Sequence, residues 1–152
     1  CAVGTMHPHT TRQRRTPQRI AAMSLTAIAS ICIGASLGAL ARWRLGLWLS
    51  AGAALPWGTL AANLVGGYLV GVCVAAFQAL PQLDPAWRLA LVTGFLGALT
   101  TFSSFSAEVV ALLQQERYLL ALGWSTLHLP GSLLMTVLGI KSTTLFIAYC
   151  AR

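Results

Sequence analysis

"GFLGALTTFSSF", residues 94–105, sets the architecture of this chain. It lies in one of the most apolar parts of the chain, yet Gly94, Gly97, Thr100, Thr101, Ser103 and Ser104 fall within it. Glycine and threonine continue a helix poorly, the first for its backbone freedom and the second for its branched Cβ. The surrounding apolar run spans about 27 residues, more than the roughly 20 that one membrane crossing needs. Both facts predict a helix broken near mid-membrane. Such a break survives only where its freed backbone groups are buried in protein or face an ion or water. Freed carbonyls suit cations; freed N–H groups and hydroxyls suit anions. Phe102 and Phe105 stand three apart and project from one face of the second half-helix. That spacing also suits core or lipid-facing rings, and the residues alone leave both readings open.

Composition sets the class. Of 152 residues, 57% are hydrophobic and 9% charged. A soluble domain carries about a quarter charged residues. Three acids in the whole chain cannot cover a water-facing surface. The prediction is an all-α integral membrane protein in the lipid bilayer, without room for a soluble domain.

The net charge of +7 is unevenly placed. Arg12, Arg14, Arg15 and Arg19 lie in residues 1–22, which contain no apolar run and so no secretory signal. Residues 1–22 are read as a disordered basic extension that does not carry the function, with Met23 favoured as the start. Four arginines without a folded reader do not make a nucleic-acid site, and no nucleic-acid partner is expected. Cys1, Cys32, Cys73 and Cys150 show no CxxC spacing and no histidine at ligand distance in sequence. Neither a disulfide framework nor a zinc site follows.

Four apolar runs stand out, from about Ser24 to Leu49, Trp57 to Leu80, Trp87 to Leu113 and Tyr118 to Lys141. They make a channel-sized domain over 23–142, with 143–152 as a C-terminal tail. The joints carry Pro, Gly or charges and are short, so neighbouring spans should be antiparallel. Trp48, Trp57, Trp87 and Tyr118 fall near span ends, where amphipathic rings favour the interface; Trp124 lies deeper. Gly34 with Gly38, and Gly67 with Gly71, form small-xxx-small pairs that permit close helix packing.

Outside residues 1–22, Arg88, Lys141 and Arg152 fall on one side, and Arg42, Arg44 and Arg117 on the other. The charge bias that orients a membrane protein is therefore nil. Insertion in both orientations is the natural expectation. With the four arginines of the extension counted, it fails.

Polar groups inside the spans are functional candidates. They are Arg42, Asn63, Glu108, His128 and the hydroxyls of 100–106. Each has a plain alternative: snorkelling for Arg42, an interhelical hydrogen bond for Asn63, pairing with an arginine for Glu108 and helix packing for His128.

"GASLGALARW" in span one, "PWGTLAANLVGGYLVG" in span two and "TGFLGALTTFSSFSAE" in span three resemble the CrcB-type (Fluc) fluoride channels. The similarity runs in order from about Leu25 to Leu138. The resemblance implies an antiparallel dual-topology homodimer of four-helix subunits in the inner (plasma) membrane, with two pores between the subunits. It places a pore asparagine on Asn63 and pore phenylalanines on Phe102 and Phe105. A vestibule arginine falls on Arg42, and the motif carboxylate on Glu108. Backbone oxygens of Gly97 and Thr100 would hold a structural Na+ at the dimer centre. Hydroxyls of Thr101, Ser103, Ser104 and Ser132 would line the path. The usual fourth-span tyrosine and serine align with Trp124 and His128, which leaves that wall of the path open. The implied function is passive fluoride export. The chemistry agrees, because amide N–H groups, hydroxyls and positive ring edges can replace the water around fluoride. The alternative is a small proton-coupled multidrug exporter, which needs a carboxylate in span one. Span one has none. An enzyme is not expected, since no base–nucleophile or metal-ligand set is present.

Overall fold

The structure is a computed structural model, and it describes residues 25–151. The expected extension at 1–22 lies outside the described residues. Among the described residues six α-helices occur in order: α1 (Leu25–Leu49), α2 (Trp57–Ala79), α3 (Pro85–Arg88), α4 (Gly97–Leu99), α5 (Phe102–Gln114) and α6 (Tyr118–Cys150). A π-helical segment, Leu89–Leu96, joins α3 to α4. Four stretches of the described residues are long and apolar enough to cross a membrane: Leu25–Leu49, Trp57–Ala79, Pro85–Gln114 and Tyr118–Cys150. The chain is an all-α, multi-pass membrane protein.

Close approaches of backbone fix the topology. A Cβ on Gly34 would strike the Ala90 carbonyl, and one on Gly38 the Phe95 carbonyl. Moving along α1 thus moves forward along the third span, so the two run parallel. A Cβ on Gly67 would meet the Ser132 carbonyl oxygen at 2.9 Å, and one on Gly71 would strike that of Thr136. Hence α2 and α6 also run parallel. With short joints between successive spans, the bundle goes up-down-up-down. The small-xxx-small glycines are therefore the seams of two helix pairs.

Helix ends follow local chemistry. Asp84 caps α3, its Oδ1 accepting the Ala86 N–H at 2.8 Å. After α5 the chain turns through Glu116 at φ 59°, and the Arg117 N–H reaches back to the Leu112 carbonyl at 3.0 Å. This left-handed closure satisfies carbonyls that the helix end would otherwise leave bare.

Two features differ from the sequence reading. The fourth helix does not stop near Lys141; it continues to Cys150, through most of the expected 143–152 tail. The reason is in the residues, since "TTLFIAY" prolongs the apolar run and one long lysine stem does not end a helix. Likewise Leu89–Leu96 reads as ordinary apolar helix but takes the wider π form.

Candidate functional site

The third span breaks at Thr100 and Thr101, which adopt extended backbone with φ,ψ of −78°, 153° and −152°, 108°. In a continuous helix the Thr101 N–H would bond the Gly97 carbonyl. Here it goes to Asn63 Oδ1 at 2.7 Å. Asn63 Nδ2 in turn donates to the Thr101 carbonyl at 3.2 Å. One carboxamide satisfies both main-chain groups of residue 101, as a neighbouring strand would.

The flanking groups are diverted too. The Ser104 N–H would bond the Thr100 carbonyl, but Thr101 Oγ1 accepts it at 3.2 Å and so caps α5. Arg42 Nε donates to the Ala98 carbonyl at 3.0 Å. The carbonyls at the break thus fall into two kinds. Those of Ala98 and Thr101 are taken by side chains. Those of Gly97 and Thr100 are among the ones whose helical donors have gone elsewhere. These are the two positions expected to hold a cation, and main-chain oxygens suit a hard ion.

The break stands between two cavities, and Thr101 lines both. One, of about 300 Å³, is bordered by Arg42, Thr59 and Ser104. The other, of about 340 Å³, is bordered by Asn63, Phe102, Phe105, His128, Ser132 and Thr136. Phe105 is buried and stacks on the His128 ring at 4.7 Å and 24°. Phe102 is 69% exposed and meets Phe105 edge-on, at 5.5 Å and 60°. Beyond His128, Trp124 follows at 5.2 Å. Ring edges carry partial positive charge, so this ladder can face an anion.

The expected residues are therefore largely brought together, with refinements. Asn63, Phe102, Phe105, Thr101 and Ser132 share one cavity, and Arg42 and Ser104 the other with Thr101. The Thr101 hydroxyl is already occupied as a helix cap, and it donates to Ser104 Oγ at 3.0 Å. Ser103 is exposed, its hydroxyl 3.2 Å from Thr101 Oγ1. Arg42 is half-buried and reaches into the break rather than only toward an interface. Glu108 is held by an indole and not by an arginine: Trp124 Nε1–H donates to its Oε2 at 2.9 Å. The single N–H of Trp124 is thereby used. His128, left open by the sequence, is buried at 3% exposure, and its Nδ1 lies 3.1 Å from Asn63 Nδ2. Thr59 and Thr136 were not foreseen. Thr136 Oγ1 donates to the Gly67 carbonyl at 3.0 Å, tying α6 to α2.

The family model for CrcB-like protein, Camphor Resistance (CrcB), matches residues 29–140. The chain belongs to the CrcB family. The matched stretch includes every polar position of the break and both cavities. CrcB relatives are similar at high identity. A fluoride-specific ion channel FluC of Albidiferax ferrireducens is 70% identical over 125 residues, covering 82% of this chain and 96% of that protein. One of Variovorax paradoxus is 68% identical over 118 residues, covering 78% and 94%. One of Pseudomonas putida is 55% identical over 119 residues, with the same coverage. In this CrcB protein the third-span motif builds a break whose backbone is held by side chains from α1 and α2.

Proposed function

We propose that the chain is a fluoride-selective channel that lowers cytoplasmic fluoride passively from the inner (plasma) membrane. The observation that carries this reading is the broken third span, set between an arginine-bordered cavity and an aromatic, donor-bearing one. Fluoride is small and holds its water tightly. A path for it must supply donors in place of water, and an arginine at one mouth concentrates anions. Helix α5 begins at the break, so its N-terminal backbone adds a positive end there. Relatives named as fluoride-specific ion channels, at up to 70% identity, support the same conclusion. The multidrug-exporter alternative gains no support, because α1 contains no Asp or Glu.

The working unit is an antiparallel homodimer with two pores at the subunit interface. Its support is the nil charge bias of residues 23–152 together with the exposure of Gly97 and Phe102 on a single chain. A second copy covers both. It also brings its own Gly97 and Thr100 carbonyls beside the first pair, enough oxygens for a structural Na+ at the dimer centre. When bound, the ion supplies fixed positive charge that favours a nearby anion. Arg42, Asn63 and the Thr101 cap keep the break in the geometry that presents those oxygens.

The direct test is ion efflux from proteoliposomes. Fluoride leaves quickly, while chloride stays inside. Equal efflux of both ions would remove the selectivity, and efflux of neither would remove the channel.

A further inference from the structure

His128 carries a buried nitrogen that the rest of the site does not use. Its ring is 3% exposed, and Nε2 has no hydrogen-bond partner among the described residues. It is the one buried side-chain polar atom there left in that state. An unpaired buried donor is costly, and in a functional cavity it points to a ligand.

The ring's proton can be placed from its neighbours. The Thr101 N–H can only donate, so the Asn63 atom it meets at 2.7 Å is the amide oxygen. The other amide atom is therefore the NH2. That group lies 3.2 Å from the Thr101 carbonyl and 3.1 Å from His128 Nδ1. A group that only donates requires Nδ1 to accept, so in the neutral ring the proton sits on Nε2. Asn63 thereby spends both amide hydrogens within the protein and leaves His128 holding the free N–H. Phe105 stacks on the imidazole and Trp124 packs beside it, which fixes the plane of the ring. The ring borders the cavity that Phe102, Phe105 and Ser132 share.

We propose that His128 is a fluoride-binding donor of the pore, offering its Nε2–H to the anion, with Asn63 as the positioning residue that sets its tautomer. The proposal rests on the fluoride-channel reading above. It moves the direct contact from the amide to the imidazole. It also fills the fourth-span wall where Trp124 is committed to Glu108.

Three variants of the full chain in proteoliposomes separate a donor from a packing ring. His128→Phe keeps a stacked ring but has no N–H. It lowers fluoride efflux by at least about tenfold, the loss of one hydrogen bond to a charged partner. Its dimer elutes unchanged and melts close to the unmodified protein, because the unpaired Nε2–H is gone while one Asn63 amide hydrogen loses its acceptor. His128→Gln can place an amide N–H near the Nε2 position and keeps efflux within about threefold. His128→Asn keeps an acceptor for Asn63 but does not reach as far, and behaves like the phenylalanine variant. A second readout does not depend on flux. In histidine-labelled protein, a long-range proton–nitrogen spectrum shows the His128 proton on Nε2, and fluoride shifts that signal where chloride does not. If His128→Phe conducts as the unmodified channel does, or the proton is found on Nδ1, the inference falls and the channel reading stands. If the unmodified protein moves no fluoride, the channel reading falls and takes the inference with it.

Discussion

The Asn63 carboxamide bonds both main-chain groups of Thr101, accepting its N–H at 2.7 Å and donating to its carbonyl at 3.2 Å. The break in the third span is therefore held open from the second. Replacing Asn63 should act on stability and conduction together. Asn63→Asp sets a negative oxygen against the Thr101 carbonyl and beside an anion path. Fluoride efflux should fall at least about a hundredfold, since charges interact strongly at this depth. Asn63→Ala leaves both groups of residue 101 without that partner and should cost about 1–3 kcal/mol of stability. Efflux and thermal melting of the purified dimer check the two effects.

The two phenylalanines should separate in stability while agreeing in flux. Phe105 is buried against His128, whereas Phe102 is 69% exposed on the single chain. Phe105→Ile should lose an aromatic stack worth about 0.5–1.5 kcal/mol beyond its area. Phe102→Ile should melt closer to the unmodified protein. Both should reduce efflux by about tenfold or more if the positive ring edges face the ion. Phe146→Leu, an exposed ring near the end of α6, should leave efflux unchanged.

Glycines at the helix seams should be intolerant where backbone touches backbone. A Cβ on Gly71 would strike the Thr136 carbonyl, while one on Gly123 meets nothing within 4 Å. Gly71→Ala should therefore destabilise by roughly 1–3 kcal/mol through overpacking. Gly123→Ala should be neutral or stabilising by about 0.5–1 kcal/mol through helix propensity. Melting in one detergent compares them.

Sodium should stabilise the dimer through the Gly97 and Thr100 carbonyls. Exchange into a buffer whose only cation is large and organic should lower the melting temperature, and added sodium should restore it in a concentration-dependent way. Thr100→Ser keeps the carbonyl and should show the same response. A melting temperature indifferent to sodium would argue against the ion.

A chain starting at Met23 should insert both ways round, given three cations on each side. A compartment-sensitive reporter at the C-terminus should be active on both sides of the membrane. Placing lysine at Gln82 and Leu83, beside the Asp84 cap, should bias that joint toward the cytoplasm.

The break was legible because glycine and threonine announce themselves in an apolar run, and Gly94, Gly97, Thr100 and Thr101 cluster at one depth. The glycine seams were legible for the same reason. What sequence could not display were contacts across helices. The Asn63–Thr101 pairing joins residues 38 apart, and the Asn63–His128 contact joins residues 65 apart. Asn63 therefore read either as a pore donor or as an interhelical hydrogen bond without a named partner, and His128 as an open choice, although the bonds between them decide which nitrogen carries the proton. The Glu108–Trp124 bond was hidden likewise, since an arginine is the commoner partner to expect. The π-helical segment at Leu89–Leu96 was also hidden: its residues suit any apolar helix, and no residue type announces the wider turn.

If the broken third span lines a selective path for fluoride, the unmodified protein alone must discriminate between halides. The most direct measurement is passive efflux from liposomes carrying the unmodified protein, loaded in parallel with potassium fluoride and potassium chloride, with a potassium carrier added to start the flow. Fluoride should leave rapidly until all protein-bearing vesicles are empty, with chloride retained. Chloride release at the fluoride rate, or retention of fluoride, would rule out a selective path.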